Sequence, residues 1–519
     1  MAISFNNIPD TVRTPSIYTE VDNSRALKGL VANPHKVLMI GNSNAYDGYN
    51  ATAETLTLYN ITSDGLADGF FGPGCELARM CNVFKINNPN TELHAVTVST
   101  GTARASAKID FSGILSHNGG SASTNGEYLY LLIGGYKCYT QITSGWLASD
   151  IASVIFTKIG DAQSTANNSY PVFASLDAVS AVLHLNAKNS GLNGNYIDVR
   201  FNYYDGQDYP TCFGTANGSN VAPSMSTFMV TNSGVGAYAD LDDVWAIVDN
   251  QQYEYIIQPS IEADALTSIE DELANRYDPL EDLQGQGFTF VRGALASCTT
   301  LGNTRNSPHN TIMGCHDSPT GPDEWAAAYG AKAAKYLNDD PARPLHYIKL
   351  DEILPPPVVN RFTRAERDVL LTDGIATYRV DFNGNVVIDR AITTYQTNSI
   401  GISDASYLDV NTLATISEIR YQFKARMLTR FIIPRMKLAD NSFPVFPGSN
   451  VVTPSVIRSE IIALFSQLRD RGLIENLEEF KTNLIVERDE TDKSRVNILL
   501  PADLINQFRI AASKLQFIL

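Results

Sequence analysis

The stretch YEYIIQPSIEADALTSIEDELANRYDPLEDLQGQGFTFV, residues 253–291, carries the first decision about the fold. Tyr253–Pro259 is a short aromatic and β-branched run stopped by proline, the pattern of a strand. Ile261, Ala265, Ile269 and Leu273 then recur every four residues, which predicts an amphipathic helix over Ile261–Tyr277. Phe288–Val291 is a strand again. Strand, helix and strand in succession imply parallel strands joined by helical crossovers.

The same grammar extends to both sides. Downstream come a strand at Thr311–Cys315 and an Ala-rich helix at Pro322–Leu337, with proline near its start. Upstream, Val37–Asn42 and Leu93–Val98 read as buried strands, with a helix at Cys75–Phe84 between them. Asp243–Val248 reads as a short helix or strand. Residues 34–99 and 206–355 are therefore expected to form an α/β core with a largely parallel sheet.

Residues 100–205 interrupt it with a different composition. Strand-like runs at Ala105–Phe111, Tyr128–Ile133, Lys137–Thr140, Ala181–Ala187 and Tyr196–Tyr204 surround one helix, Ser149–Ile159. Gly-Gly, Asn-Gly and Ser-Gly punctuate them. This is expected to be an inserted, mostly β domain, followed by a polar loop, Asp205–Asn220. Residues 356–519 read as an α+β domain. It opens with a helix at Thr363–Asp373 and a hairpin around Asn383-Gly384-Asn385. A long helix, Ser406–Ile433, follows with a core stripe of Ile416, Ile419, Phe423 and Met427. Next come a helix from Thr453 to Asp470 closed by Gly472, strands at Phe480–Arg488 and Arg495–Leu500, a turn or short helix at Ala502–Phe508, and an apolar end, Ser513–Leu519. At the other end, residues 1–33 read as an arm and linker. Prolines 9 and 15 bar a helix there, and Ile3, Phe5 and Ile17–Val21 alternate with polar neighbours.

The 519 residues carry 39 bases and 56 acids, a net charge of −17. That disfavours a general nucleic-acid binder or a docker on anionic membranes. The acidity is uneven: Gly401–Leu519 holds 15 bases and 14 acids, so the remainder carries −18. No apolar run reaches the ~18 residues of a membrane helix, and the N-terminus lacks the marks of a signal peptide. The six cysteines are scattered and form no C-x-x-C, so they read as reduced, buried thiols.

No phosphate-binding glycine loop, G-x-S-x-G or H-E-x-x-H is present. His309, Cys315, His316 and Asp317 are suitable metal ligands by type. Their spacing matches no zinc pattern, and a polar loop at a strand end explains them as well. Asp242-Asp243 and Asp339-Asp340 read as solvated charge or helix caps rather than catalytic pairs. No catalytic, cofactor or metal site is nominated.

Several segments resemble one family. They are Ile3–Pro9 with Tyr18–Ser24; Arg305–His309 with Ser318-Pro319-Thr320 and Glu324–Tyr329; Tyr421–Pro434; Val452–Arg458; and Val486-Glu487-Arg488 through Leu499–Gln507. In this order they resemble the Mu-like contractile phage tail sheath proteins, over nearly the whole chain and least in the insertion. The resemblance implies a core of the sheath "subtilisin-like" type, an outer insertion, and an inner C-terminal domain with extended N- and C-terminal strand arms. It implies a non-enzymatic virion subunit, assembled in the host cytoplasm as a helical polymer of stacked rings. Its contraction would drive an inner tube through a bacterial envelope. The implied partners are itself, the tube, baseplate and tail terminator proteins, without nucleic-acid contact or membrane insertion. A hydrolase built on the α/β part and another particle component, such as a baseplate or tube protein, are the alternatives.

Apolar chain ends without a local partner suit this reading, because open strand edges can join a neighbour's sheet. A contact between unlike surfaces then propagates into a filament. The expected arm strands involve Ile3, Phe5, Ile8, Ile17, Val21, Leu484, Val486, Val496, Ile498, Leu515, Phe517 and Leu519. Between Arg420 and Lys437 lie six bases and no acid. Arg420, Lys424, Arg426, Arg430, Arg435 and Lys437, with Arg458, are the candidate tube-facing residues. The other reading is that they pair within their own subunit or face water.

Overall fold

The computed structural model describes residues 30–43, 54, 56–98, 103–115, 122, 126–161, 169–213, 215–216, 219–220, 222–227, 241–444, 446 and 449–518. By packing, the chain divides into two compact units. One takes residues up to Asn33 with Glu418–Ile505, and the other Pro34–Ser417 with the residues from Asn506 on.

The larger unit is built on a six-stranded sheet. Its order is Asn310–Cys315, Gln286–Arg292, Tyr255–Ile257, Lys36–Asn42, Glu92–Val98 and Leu58–Asn60. The first five are parallel and only the edge strand Leu58–Asn60 is antiparallel. Both faces are covered, so the strands are apolar throughout rather than alternating. Along Lys36–Asn42, Val37 and Met39 enter a core with Leu77, Phe84, Trp325 and Tyr329. Leu38 and Ile40 point the other way, into a core with Val244, Trp245, Ile269 and Leu273. The segment Asp242–Val248, ambiguous in sequence, is a helix.

The helix Pro322–Asp339 is buried from Pro322 to Ala334, which explains its alanines. A Cβ at Gly330 would stand 2.5 Å from the Ile257 side chain, so this helix lies too close to the sheet for any larger residue there.

Residues 104–213 enclose a core of their own, including Ile109, Phe111, Leu129, Ile151, Ile155, Leu183, Leu185 and Phe213. Its antiparallel sheet runs Ser224–Met225, Arg104–Asp110, Val182–Ser190, Val172–Asp177, and the helix Ala148–Ile159 packs on it. Two expectations change here. Tyr196 closes a 3-10 turn, Leu192–Tyr196, and only Val199–Phe201 is strand. The loop after Asp205 is not wholly polar in its packing, since Cys212 and Phe213 are fully buried.

This inserted body meets the sheet layer through buried polar groups. Lys188 donates to the Pro73 carbonyl at 2.8 Å. Asn189 accepts from the Glu76 amide at 2.7 Å and donates to the Asn42 carbonyl at 2.9 Å. Tyr136 donates to Glu324 Oε1 at 2.6 Å. Arg79 lies 2.6 Å from Asp323 and 3.6 Å from Glu324, with all three nearly fully buried.

Beside the sheet, Glu254 is also buried and accepts from the Lys36 amide at 2.7 Å. Burial pushes its carboxyl up to about 7, against the hydrogen bonds that favour the charged form. A carboxyl raised in the folded state contributes stability in acid and loses it as pH rises through about 7. Glu254→Gln is therefore expected to match the parent near pH 5 and to exceed it by about 2–3 kcal/mol at pH 8. Melting curves at the two pH values check this, and an unchanged difference would contradict it.

Residues 406–508 differ from expectation in four places. The long helix is Val410–Met427, followed by a π-helical turn, Leu428–Ile432, so it stops short of Ile433. Of the expected stripe only Ile419 is buried; Ile416, Phe423 and Met427 are half-buried, while Glu418 and Gln422 lie inside. Phe480 belongs not to a strand but to a helix, Leu477–Asn483, because its ring stacks on Phe465 of the helix Pro454–Asp470 at 3.9 Å. Ala502–Phe508 holds no helix; Leu504 instead bridges Ile474 in antiparallel fashion.

Candidate functional site

Chemistry fails to assemble around the residues that sequence singles out. His309 is buried against Tyr277, ring centroids 5.0 Å apart, and burial lowers its pKa to about 4. Cys315 ends the strand Asn310–Cys315 that begins just after His309, roughly 20 Å away at ~3.3 Å per residue. Burial pushes its thiol up, the opposite of an activated nucleophile. Asp317 accepts from Arg200 at 3.0 Å and from Asn360 at 2.6 Å. Asp198 joins Arg200 and, at 2.9 Å, Arg292, so these charges neutralise one another at the strand ends. Asp242 and Asp243 sit in the first turn of a helix, and Asp340 caps another. Among the described residues no three His, Cys, Asp or Glu side chains converge on a metal position.

What the smaller unit does present is edge and surface. Ile485–Arg488 and Val496–Leu499 form a two-stranded antiparallel hairpin, and no third strand joins it among the described residues. Val486, Val496 and Ile498 are half-buried in it, whereas its cross-strand pair Ile485 and Leu499 is exposed. Leu484 is not in the strand; it closes the preceding helix and is buried. In the larger unit, the C-terminal segment is tied down by the Arg509–Asp409 ion pair. Beyond that it runs exposed without regular structure, Leu515 at 93% and Phe517 at 77%. Ile3, Phe5, Ile8, Ile17, Val21 and Leu519 lie outside the described residues.

The basic cluster does not act as one surface. Arg426 is engaged within its subunit, 2.7 Å from Glu460 and 2.6 Å from Gln467. Arg430 reaches the same Glu460 at 3.3 Å but keeps half its side chain exposed. Arg458 is half-buried and donates to the Lys481 carbonyl. Arg420 is half-buried, and Lys424, Arg435 and Lys437 are exposed. Sequence reasoning missed the apolar company of these bases: Ile432, Ile433 and Phe446 are all exposed nearby in the chain. The only sequence signal was a hydrophobic run continuing past the end of the buried stripe.

The chain matches the phage tail sheath protein central domain over residues 235–394 and the phage tail sheath C-terminal domain over 403–518. It is 35% identical, over the full length of both chains, to the Mu-like prophage FluMu tail sheath protein of Haemophilus influenzae. It belongs to the phage tail sheath family. The sheath subunit also aligns with the sheath tail protein of Desulfitobacterium hafniense, at 12% identity and TM-score 0.48, covering 95% of this chain and 97% of that one. The contracted helical sheath of the anti-feeding prophage aligns at 10% identity and TM-score 0.45, over 97% and 99%. As a member of this family the chain is a structural subunit of a contractile phage tail sheath, and the hydrolase alternative is not favoured.

Proposed function

We propose that the subunit polymerises helically around an inner tail tube and, on contraction, drives that tube through the bacterial envelope. The observation that carries this reading is the hairpin Ile485–Arg488 with Val496–Leu499, which leaves its outer edges unpaired in the described chain. Such edges accept an extended segment through main-chain hydrogen bonds. The alternating Ile3–Ile8 and Ile17–Val21 and the exposed Leu515–Ile518 supply candidate strands from neighbouring copies. Each donor meets an unlike acceptor, so the contact repeats along a helix. Electron microscopy of the purified chain tests this: striated or hollow tubes are expected, and discrete globular particles at every concentration would refute it.

The remaining partners follow. The tube is contacted from the basic side of Arg420–Lys437, and baseplate and terminator proteins meet the two ends of the polymer. The subunit works without catalysis, and its acidic net charge suits neither nucleic-acid contact nor membrane insertion. Among the described residues no helix is long and apolar enough to cross a membrane. Assembly takes place in the host cytoplasm and the product is part of the virion. The α/β layer stands as the subtilisin-like body of such sheaths, with residues 100–205 outermost.

Weak, salt-screened ion pairs suit a surface that must hold in one state and let go in another. Arg426 is excluded from this role because its side chain is only 13% exposed and is held by both Glu460 and Gln467, whereas Arg430, beside the same Glu460, keeps half its side chain exposed. Reversing both Lys424 and Arg430 to Glu is expected to leave the monomer folded and to reduce sheath assembly on tube about tenfold at low salt. Full-length sheath on tube from the double variant, at low and high salt, would end the assignment.

A further inference from the structure

Three consecutive residues of the N-terminal connector are held by one face of a helix nearly four hundred positions away. Gln422 accepts from the Val31 amide at 3.0 Å and donates to the Val31 carbonyl at 2.7 Å. The neighbouring side chains continue the grip: Tyr421 donates to the Ala32 carbonyl at 3.0 Å, and Asn33 donates to Glu418 Oε2 at 3.1 Å. Glu418, Tyr421 and Gln422 stand at i, i+3 and i+4 of the helix Val410–Met427 and so share one face. The connector runs antiparallel along them, residue 33 against 418, 32 against 421, 31 against 422.

A glutamine amide carries both a donor and an acceptor, so it pairs a peptide's N–H and C=O much as an adjacent strand would. The register of the connector is thereby set by a side chain rather than by apolar burial: Val31 is 48% exposed, whereas Gln422 is 2% exposed. The clamp is braced from behind. Gln422 also donates to Glu418 Oε1 at 3.0 Å, and Arg471 lies 2.8 Å from the same oxygen. A connector lying on a surface needs no such device merely to be solvated.

We infer that Glu418, Tyr421 and Gln422 form a clamp that fixes where the N-terminal segment leaves the smaller unit, and so positions that segment for its neighbour. This rests on the reading of residues 1–22 as an inter-subunit arm. A segment tethered at a defined point meets its acceptor at a far higher effective concentration than one released at an undefined point. The hydrogen bonds to Val31 also resist a pull along the connector, the direction in which an arm would be loaded as rings move apart or together.

Gln422→Leu keeps the bulk and removes both bonds to Val31 together with the bond to Glu418 Oε1. In the full chain, hydrogen exchange at the Val31 amide is expected to accelerate about tenfold or more. The protein concentration needed to form tubes should rise by a similar factor. Should Gln422→Leu fail to fold, Tyr421→Phe, which removes one hydroxyl, is expected to show a smaller rise in the same tube-forming concentration. Unchanged exchange at Val31 would overturn the clamp itself. Fast exchange with undiminished tube formation would overturn its role in assembly. Those failures are separable from failure of the arm reading, which is judged on the chain lacking residues 1–22: normal tubes from it would sink both.

Discussion

The chain lacking residues 1–22 is expected to fold and to remain monomeric at concentrations at least a hundredfold above those at which the full chain builds tubes. The deletion leaves every described residue of both units in place. Among the described residues, the smaller unit takes its buried apolar side chains, such as Ile457, Ile461, Leu464, Phe465 and Phe480, from beyond residue 418. The connector residues held by Gln422 and Glu418 are also retained. What is lost is the alternating segment that has no local strand partner in the sequence. If that segment joins a neighbour's hairpin, its removal takes away a run of main-chain hydrogen bonds at every contact of a repeating array, so the loss compounds along the polymer. Sedimentation velocity and electron microscopy decide the matter. Ordinary tubes from the shortened chain would show that cohesion resides elsewhere.

Arg79→Met is expected to lower the stability of the larger unit by about 3–5 kcal/mol. Arg79 faces Asp323 and Glu324 in the first turn of the buried helix Pro322–Asp339, and it is the cation that compensates both. Methionine fills much of the same volume but leaves two carboxylates in a low-dielectric site. Burial already pushes Glu324 upward, and Arg79 opposes that shift. With the guanidinium gone, the carboxyl rises further. A raised folded-state value means that stability returns as pH falls. The defect should therefore be largest at pH 8 and shrink toward pH 5. Combining Arg79→Met with Asp323→Asn and Glu324→Gln should restore much of the loss, since neutral amides need no counter-charge. A pH-independent defect would argue that packing, not charge, carries the effect. The site also matters for the inserted body, because Tyr136 from that body hydrogen-bonds Glu324.

Both cases mark the limit of reading locally. The helix Pro322–Asp339 was legible from its proline start and alanine run, because those properties act within a few residues. That Asp323 and Glu324 would be buried was not legible, since nothing near them in sequence is basic; their partner lies some 240 positions upstream. Arg426 shows the converse. In a row of six bases it was indistinguishable from Lys424, and its burial comes from pairing with Glu460 and Gln467 on the helix Pro454–Asp470, the first of which Arg430 also reaches. Phe480 alternated well enough to pass as strand, yet stacking on Phe465 holds it in a helix, an instance of packing overriding propensity.

The sequence by itself determined the parallel sheet with its crossover helices and a change of composition after residue 100, and it carries no recognisable catalytic motif. Each of these rests on periodicity, punctuation or residue type within short windows, where 3.6- and 2-residue repeats and turn residues act directly on the backbone. Only the tertiary structure decided which charges are buried pairs, which bases are spoken for, and that Val31–Asn33 belong with Glu418–Gln422 rather than with the strand that follows them. The physical reason is that a hydrogen bond or ion pair is defined by distance and burial. Neither has a local signature when the partners are separated by hundreds of residues of chain.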